Sequence, residues 1–148
     1  MSQQPDIVFQ QWHDNQAVAE QMIPLIGSLY RRNNVVTTMF GRSLFNRSVI
    51  RILKDHRFVR KIEGTELSVQ DTFPLVQAMT QLNLGPAHVD VGKLGVAFKK
   101  QGGGDALAFM REQLAEIVDC HDPDAGNGEP KDVVLYGFGR IGRILARV

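Results

Sequence analysis

The chain changes character at Asp122-Pro123-Asp124-Ala125-Gly126-Asn127-Gly128-Glu129-Pro130. This run holds two prolines and two glycines and offers nothing to pack, so it reads as a linker over 122–131. Before it, apolar residues recur at helical spacing through residues 1–121. After it, the pattern switches to a short extended run, Val133-Val134-Leu135-Tyr136, and a glycine-rich turn that enters a helix. The second part, 132–148, has room for one strand, a turn and the start of a helix. We therefore expect a mainly α protein: an N-terminal helical domain of about five helices, then a truncated Rossmann βα unit.

Within the first part, Asp14 is a fair N-cap, and Trp12, Ala19, Met22, Ile26 and Leu29 or Tyr30 keep helical spacing. Pro24 and Gly27 predict a kink or break in this run, which ends at Asn33-Asn34. Val35-Val36-Thr37-Thr38-Met39-Phe40 is locally extended but has no evident partner strand, and is read as a connector. A second helix is expected from about Ser43 to Ile62 and is closed by Gly64. Its inner arc carries Phe45, Val49, Ile52, Leu53 and Val59, and its outer arc carries Arg47, Arg51, Lys54, Arg57 and Lys61.

Ser68, three residues before Asp71, predicts a capping arrangement, with Phe73, Val76, Met79 and Leu82 following before Gly85-Pro86. Pro74 suits this helix best if it starts near Asp71 or Thr72, which puts the proline in the first turn. Asp90 to Lys100 is ambiguous, since Leu94, Val96 and Phe98 alternate like a strand; with Asp90 as cap, Lys99-Lys100 in the last turn and Gly102 just past the end, it is read as helix. Asp105 caps the last helix of the domain, whose stripe is Leu107, Met110, Leu114, Ile117 and Val118.

Charge matters here through its distribution. Residues 31–61 hold nine bases and one acid, Asp55, a local balance of +8 inside a chain of net +1. The basic arc, interrupted by Ile50 and Phe58, fits a docking or oligomer surface better than a nucleic-acid surface, because no nucleic-acid motif accompanies it. A phosphate-bearing ligand is the remaining use of such a face. Of 148 residues one is cysteine, so no internal disulfide is possible, which suits a reducing compartment. The start Met1-Ser2-Gln3-Gln4-Pro5 lacks the features of a signal peptide, and no apolar run approaches the ~20 residues of a membrane span. We expect a cytoplasmic protein with no membrane contact.

The turn after the extended run reads Gly137-Phe138-Gly139-Arg140-Ile141-Gly142, a G-x-G-x-x-G in the required strand-to-helix context. Gly137 would allow the tight turn, Gly139 the approach of backbone to a pyrophosphate, and Gly142 close helix packing. The following N–H groups and helix dipole would face the phosphates. An ordinary strand-to-helix turn is the plain alternative. We assign Gly137, Phe138, Gly139, Arg140, Ile141 and Gly142 as candidate cofactor-binding residues. No catalytic residue and no metal site is assigned. Asp119, Cys120, His121 and Asp122 are consecutive and cannot easily converge on one ion, while His13, His56 and His88 are scattered. Gly102-Gly103-Gly104 is read as a helix cap and connection rather than an anion nest.

The run Val133-Val134-Leu135-Tyr136-Gly137-Phe138-Gly139-Arg140-Ile141-Gly142-Arg143 resembles the opening of glyceraldehyde-3-phosphate dehydrogenase, which reads Asn-Gly-Phe-Gly-Arg-Ile-Gly-Arg at the end of its first strand. Tyr136 stands where that family has Asn, so an Asn contact to the cofactor is not carried over. The helical part, including Thr37-Thr38-Met39-Phe40-Gly41-Arg42-Ser43, resembles the N-terminal extension of a long bacterial form of the same enzyme.

The resemblance implies NAD or NADP as cofactor, a small phosphorylated aldehyde as substrate, a thioester route through a cysteine, and a homo-oligomer. The family's Ser-Cys-Thr-Thr-Asn-Cys run is not among these residues, and Cys120 does not stand in for it. Neither is the acidic residue expected about twenty positions after the glycines. The expectation is an inactive N-terminal piece of a longer oxidoreductase. The alternative is a helical interaction, oligomerisation or anion-binding module without catalysis.

Overall fold

The computed structural model describes residues 3–120, 136, 137 and 139–145. Its elements are α1 (Gln3–Asn33), β1 (Val35–Met39), β2 (Arg42–Ser43), α2 (Val49–Glu63), α3 (Val69–Gln81), β3 (Ala87–Asp90), α4 (Val91–Lys100), α5 (Ala106–Gln113) and α6 (Arg140–Leu145). The protein is mainly α, with five helices in the expected helical domain and a small mixed sheet beside them. The expected linker 122–131, the expected strand residues Val133–Leu135 and Phe138 lie outside the described residues.

Helix α1 buries Ala19, Met22, Ile26 and Leu29, a seam of alternating three- and four-residue steps, and packs chiefly against α3. It begins at Gln3 rather than after Asp14, and it runs through Pro24 without the expected break. The carbonyl that a residue 24 N–H would have bonded belongs to Glu20, and both residues face water. Solvent can satisfy that carbonyl, so the proline is tolerated on this side. The same reasoning corrects the reading of α3. It starts at Val69, which places Pro74 beyond the first turn, with exposed Gln70 as its bereft acceptor.

The expected connector is a strand. β1 pairs antiparallel with β2 and parallel with β3, in the order β2-β1-β3. Phe40 and Gly41 form the two-residue hairpin turn, with φ of 47° and 78°. Two successive positive φ values match the twist of paired strands, although they strain a phenylalanine. Asp90 offsets that strain. Its carboxylate accepts the N–H of Phe40 and of Gly41, both at 3.0 Å, and also caps α4 by accepting Lys93 N–H at 3.0 Å. The start of α4 sits so close to this turn that a Cβ on Gly92 would lie 2.5 Å from Met39 Sδ and 2.8 Å from the Phe40 ring.

Because Arg42-Ser43 is strand, α2 starts at Val49 instead of near Ser43, with Ser48 as its N-cap. The expected closure by Gly64 is present, at φ 66°. Ser68 and Asp71 form the expected capping box: Ser68 Oγ accepts Asp71 N–H at 3.2 Å, and Asp71 Oδ2 accepts Ser68 N–H at 2.8 Å. Asp105 caps α5, which ends at Gln113. Ile117 and Val118 therefore reach the core from turns, with Val118 bridged to Leu84.

Candidate functional site

Two places in the described residues have the chemistry of a site. The first is the glycine turn. Gly137 has φ 96°, a conformation closed to most L-residues. Arg143 N–H bonds Gly139 carbonyl at 3.1 Å, which starts α6 directly behind the turn. A Cβ on Gly142 would collide with the Gly137 carbonyl oxygen, so the helix can fold back on the turn only with glycine there. At Gly139 the space is open among the described residues, none of which lies within 4 Å of a would-be Cβ. Tyr136, Ile141 and Ile144 are exposed, and Arg140 opens the helix.

The second place is the basic stretch. The expected single outer arc is split by the fold. Arg42 from β2 and Arg51 from α2 both turn to Asp55, whose carboxylate is buried, at 3.0 and 3.3 Å. The Arg42 guanidinium also lies 3.4 Å from the centre of the Phe58 ring, which explains one apolar interruption of the arc. Ile50, the other, is exposed. Arg47 Nε donates to the Ser43 carbonyl. Arg57, Arg60 and Lys61 open instead onto a cleft of about 760 Å³ between α1, α2 and the start of α3, lined also by Trp12, Leu53 and Lys99.

His56 stands at this cleft, buried on the inner side of α2. A carbonyl can only accept, so Nδ1–H donates to Ile52 O at 2.8 Å. In the neutral ring Nε2 then accepts the Thr72 hydroxyl proton at 2.7 Å. Burial pushes the His56 pKa below its ordinary 6.5, outweighing the Ile52 hydrogen bond and the Asp55 and Asp71 carboxylates, which raise it. If the ring gains a proton, Thr72 Oγ1 can turn its own proton to Val69 O, 3.3 Å away, so both ring contacts survive. The penalty is desolvation of the charge.

Because the folded value lies below the unfolded one, the unfolded chain takes up the proton first. The contribution of His56 is thus complete above pH 6.5 and declines as pH falls from 6.5 towards the folded value. Urea unfolding midpoints should fall across that window, and His56→Gln should flatten the decline; an equal slope in the variant would assign it elsewhere. Asp71 acts in a separate, more acidic window. Burial alone would raise its carboxyl, but the Ser68 N–H, the Lys99 ammonium at 3.1 Å and the Ser68 hydroxyl together hold it below 3.8.

Sequence reasoning found the basic residues but missed the His56–Thr72 pair and the cleft. The only local sign of either was the i,i+4 spacing of Arg57 and Lys61. Among the described residues no group of three His, Cys, Asp or Glu could hold a metal, and no helix is long and apolar enough to cross a membrane.

The described architecture is thus a mainly α domain with a small mixed sheet, together with a glycine turn that opens a helix. No family model matches the chain. It is 55% identical over 130 residues to the glyceraldehyde-3-phosphate dehydrogenase-like protein of Pseudomonas aeruginosa (strain UCBPP-PA14), a match that takes in 86% of this chain. The chain spans 28% of the length of that relative. Only 27 residues follow His121, so about a hundred or more of the aligned residues fall within the helical part. The similarity to that relative therefore extends well beyond the glycine turn.

Proposed function

We propose that the chain is the leading part of an NAD- or NADP-dependent oxidoreductase similar to glyceraldehyde-3-phosphate dehydrogenase. Residues 1–121 form a helical extension, 122–131 a linker, and 132–148 the first strand, glycine turn and helix start of the dinucleotide domain. The observation that carries this reading is the 55% identity to a relative of that name, of which this chain spans 28%. The glycine turn supports it. The open space at Gly139 is what a pyrophosphate needs in order to approach backbone, and Gly142 keeps the helix N-terminus close to the same point.

In such a site Gly137, Phe138, Gly139, Arg140, Ile141 and Gly142 hold the diphosphate end of the cofactor, and the nicotinamide, when bound, supplies the hydride acceptor. The chain's own part is binding and orientation. Attack on a small phosphorylated aldehyde and release by phosphate belong to residues outside these 148. The chain alone should turn over no substrate and hold NAD only weakly. We place the whole protein in the cytoplasm, as a homo-oligomer.

The test is to read the source frame past codon 148 and to assay the longer product. An acidic residue about twenty positions after the glycines, a Ser-Cys-Thr-Thr-Asn-Cys run and phosphate-dependent reduction of NAD or NADP with glyceraldehyde 3-phosphate are expected. A stop codon at once, or stoichiometric tight NAD binding by the 148-residue chain, would overturn the reading. A stop codon would favour the interaction module, for which the exposed Ile7, Val8 and Phe9 of α1 are the supporting observation.

A further inference from the structure

The cleft in the helical part has no role in the reading above, and its chemistry is specific enough to assign one. Its volume, about 760 Å³, falls within the range of small-molecule sites. Four cations and two acids line it, a net +2. The acids are already matched: Arg60 lies 3.7 Å from Glu66, and Lys99 lies 3.1 Å from Asp71. At the N-terminus of α3 the capping box already engages the Ser68 and Asp71 N–H groups.

Arg57 and Lys61 remain. They are one helical turn apart on α2, both are exposed, and neither has an acidic partner among the described residues. Like charges at this spacing repel, and an anion seated between them removes that repulsion while accepting charge-assisted hydrogen bonds. α1 supplies Trp12 to the same cleft, a residue that remains 40% exposed although its ring stacks on Phe9. A partly exposed tryptophan lining the same cleft as two unmatched cations is a pairing suited to a ligand with a flat ring at one end and a phosphate at the other.

We propose that this cleft binds a small organic phosphate bearing a planar base, the chemistry of a nucleoside monophosphate, with the base against Trp12 and the phosphate between Arg57 and Lys61. The site is separate from the glycine turn, and it does not depend on what the longer protein catalyses.

Trp12 is the sole tryptophan of the chain and so reports on its own cleft. The 148-residue chain is titrated with AMP, with adenosine and with inorganic phosphate at constant ionic strength, while its tryptophan emission is followed at the red edge of absorption. AMP should give a saturable change, with adenosine and phosphate each at least about tenfold weaker. Arg57→Gln with Lys61→Gln should weaken AMP by about tenfold or more, with unchanged thermal unfolding as the check on folding. Gly139→Asp should leave AMP affinity unaltered, because it touches only the glycine turn. A change that never saturates, that persists in the double Gln variant, or that inorganic phosphate matches at equal concentration overturns the proposal. So does loss of AMP binding in Gly139→Asp, which would move the ligand to the turn.

Discussion

Arg42→Ala combined with Arg51→Ala should destabilise the chain by about 3–5 kcal/mol, because it strands a buried carboxylate without a counter-charge. Asp55 has 1% of its side chain exposed, whereas its partners retain 36% and 47%. The asymmetry sets the order of the variants. Asp55→Ala leaves two guanidinium groups that can swing to water, so its cost should be smaller, about 1–3 kcal/mol. Adding Asp55→Ala to the double Arg variant should recover stability, since it removes the stranded charge. Urea unfolding of the four proteins measures all of this, with loss of the Arg42–Phe58 contact adding about 0.5–2 kcal/mol to any variant lacking Arg42. If the double Arg variant is no worse than Asp55→Ala, Asp55 is better hydrated than its burial indicates. The cluster also ties the β-hairpin to α2 and pairs two of the nine clustered cations with a buried carboxylate.

In the longer protein, Gly139→Asp should cut turnover with NAD or NADP by about a hundredfold or more, on the function proposed above. A carboxylate placed where backbone approaches the pyrophosphate adds both a side chain and a like charge at the closest point of contact. Stability should scarcely change, because a Cβ at this position meets none of the described residues within 4 Å. Steady-state kinetics and thermal unfolding of the same preparation separate the two effects. Full activity in the variant would show that this turn does not hold the cofactor. Loss of both activity and fold would show instead that residue 139 is packed in the longer protein.

Much of the helical part was legible from the sequence because its signals are local. Ser68, Asp90 and Asp105 cap helices by reaching N–H groups two or three residues away, and the i, i+3, i+4 spacing of buried residues lies within one element. The sheet was not legible for the opposite reason. β1 looked like a connector because one partner, β3, is 52 residues further on and only four residues long, while the other, β2, has two residues. That hidden hairpin is also why the start of α2 was placed too early. The basic stretch was visible as charge, but its division into a buried cluster at Asp55 and a cleft at Arg57 and Lys61 depends on elements meeting in space. The resemblance at the glycine turn was carried by the seven residues Gly137–Arg143, whereas that of the helical part rested on no catalytic signature.

The wide separation of β1 and β3 has a consequence for how the protein is made. On the ribosome β1 is complete at Met39, and its parallel partner begins at Ala87. At about 5–20 residues per second the parallel edge of β1 waits ~2–10 s for a strand that has not yet been synthesised. Its other edge is covered from Thr37 to Met39 almost at once by the hairpin to β2. The nascent chain therefore exposes one unpaired edge during that interval, and the carboxylate of Asp90 that steadies Phe40 and Gly41 arrives only with the last residue of β3.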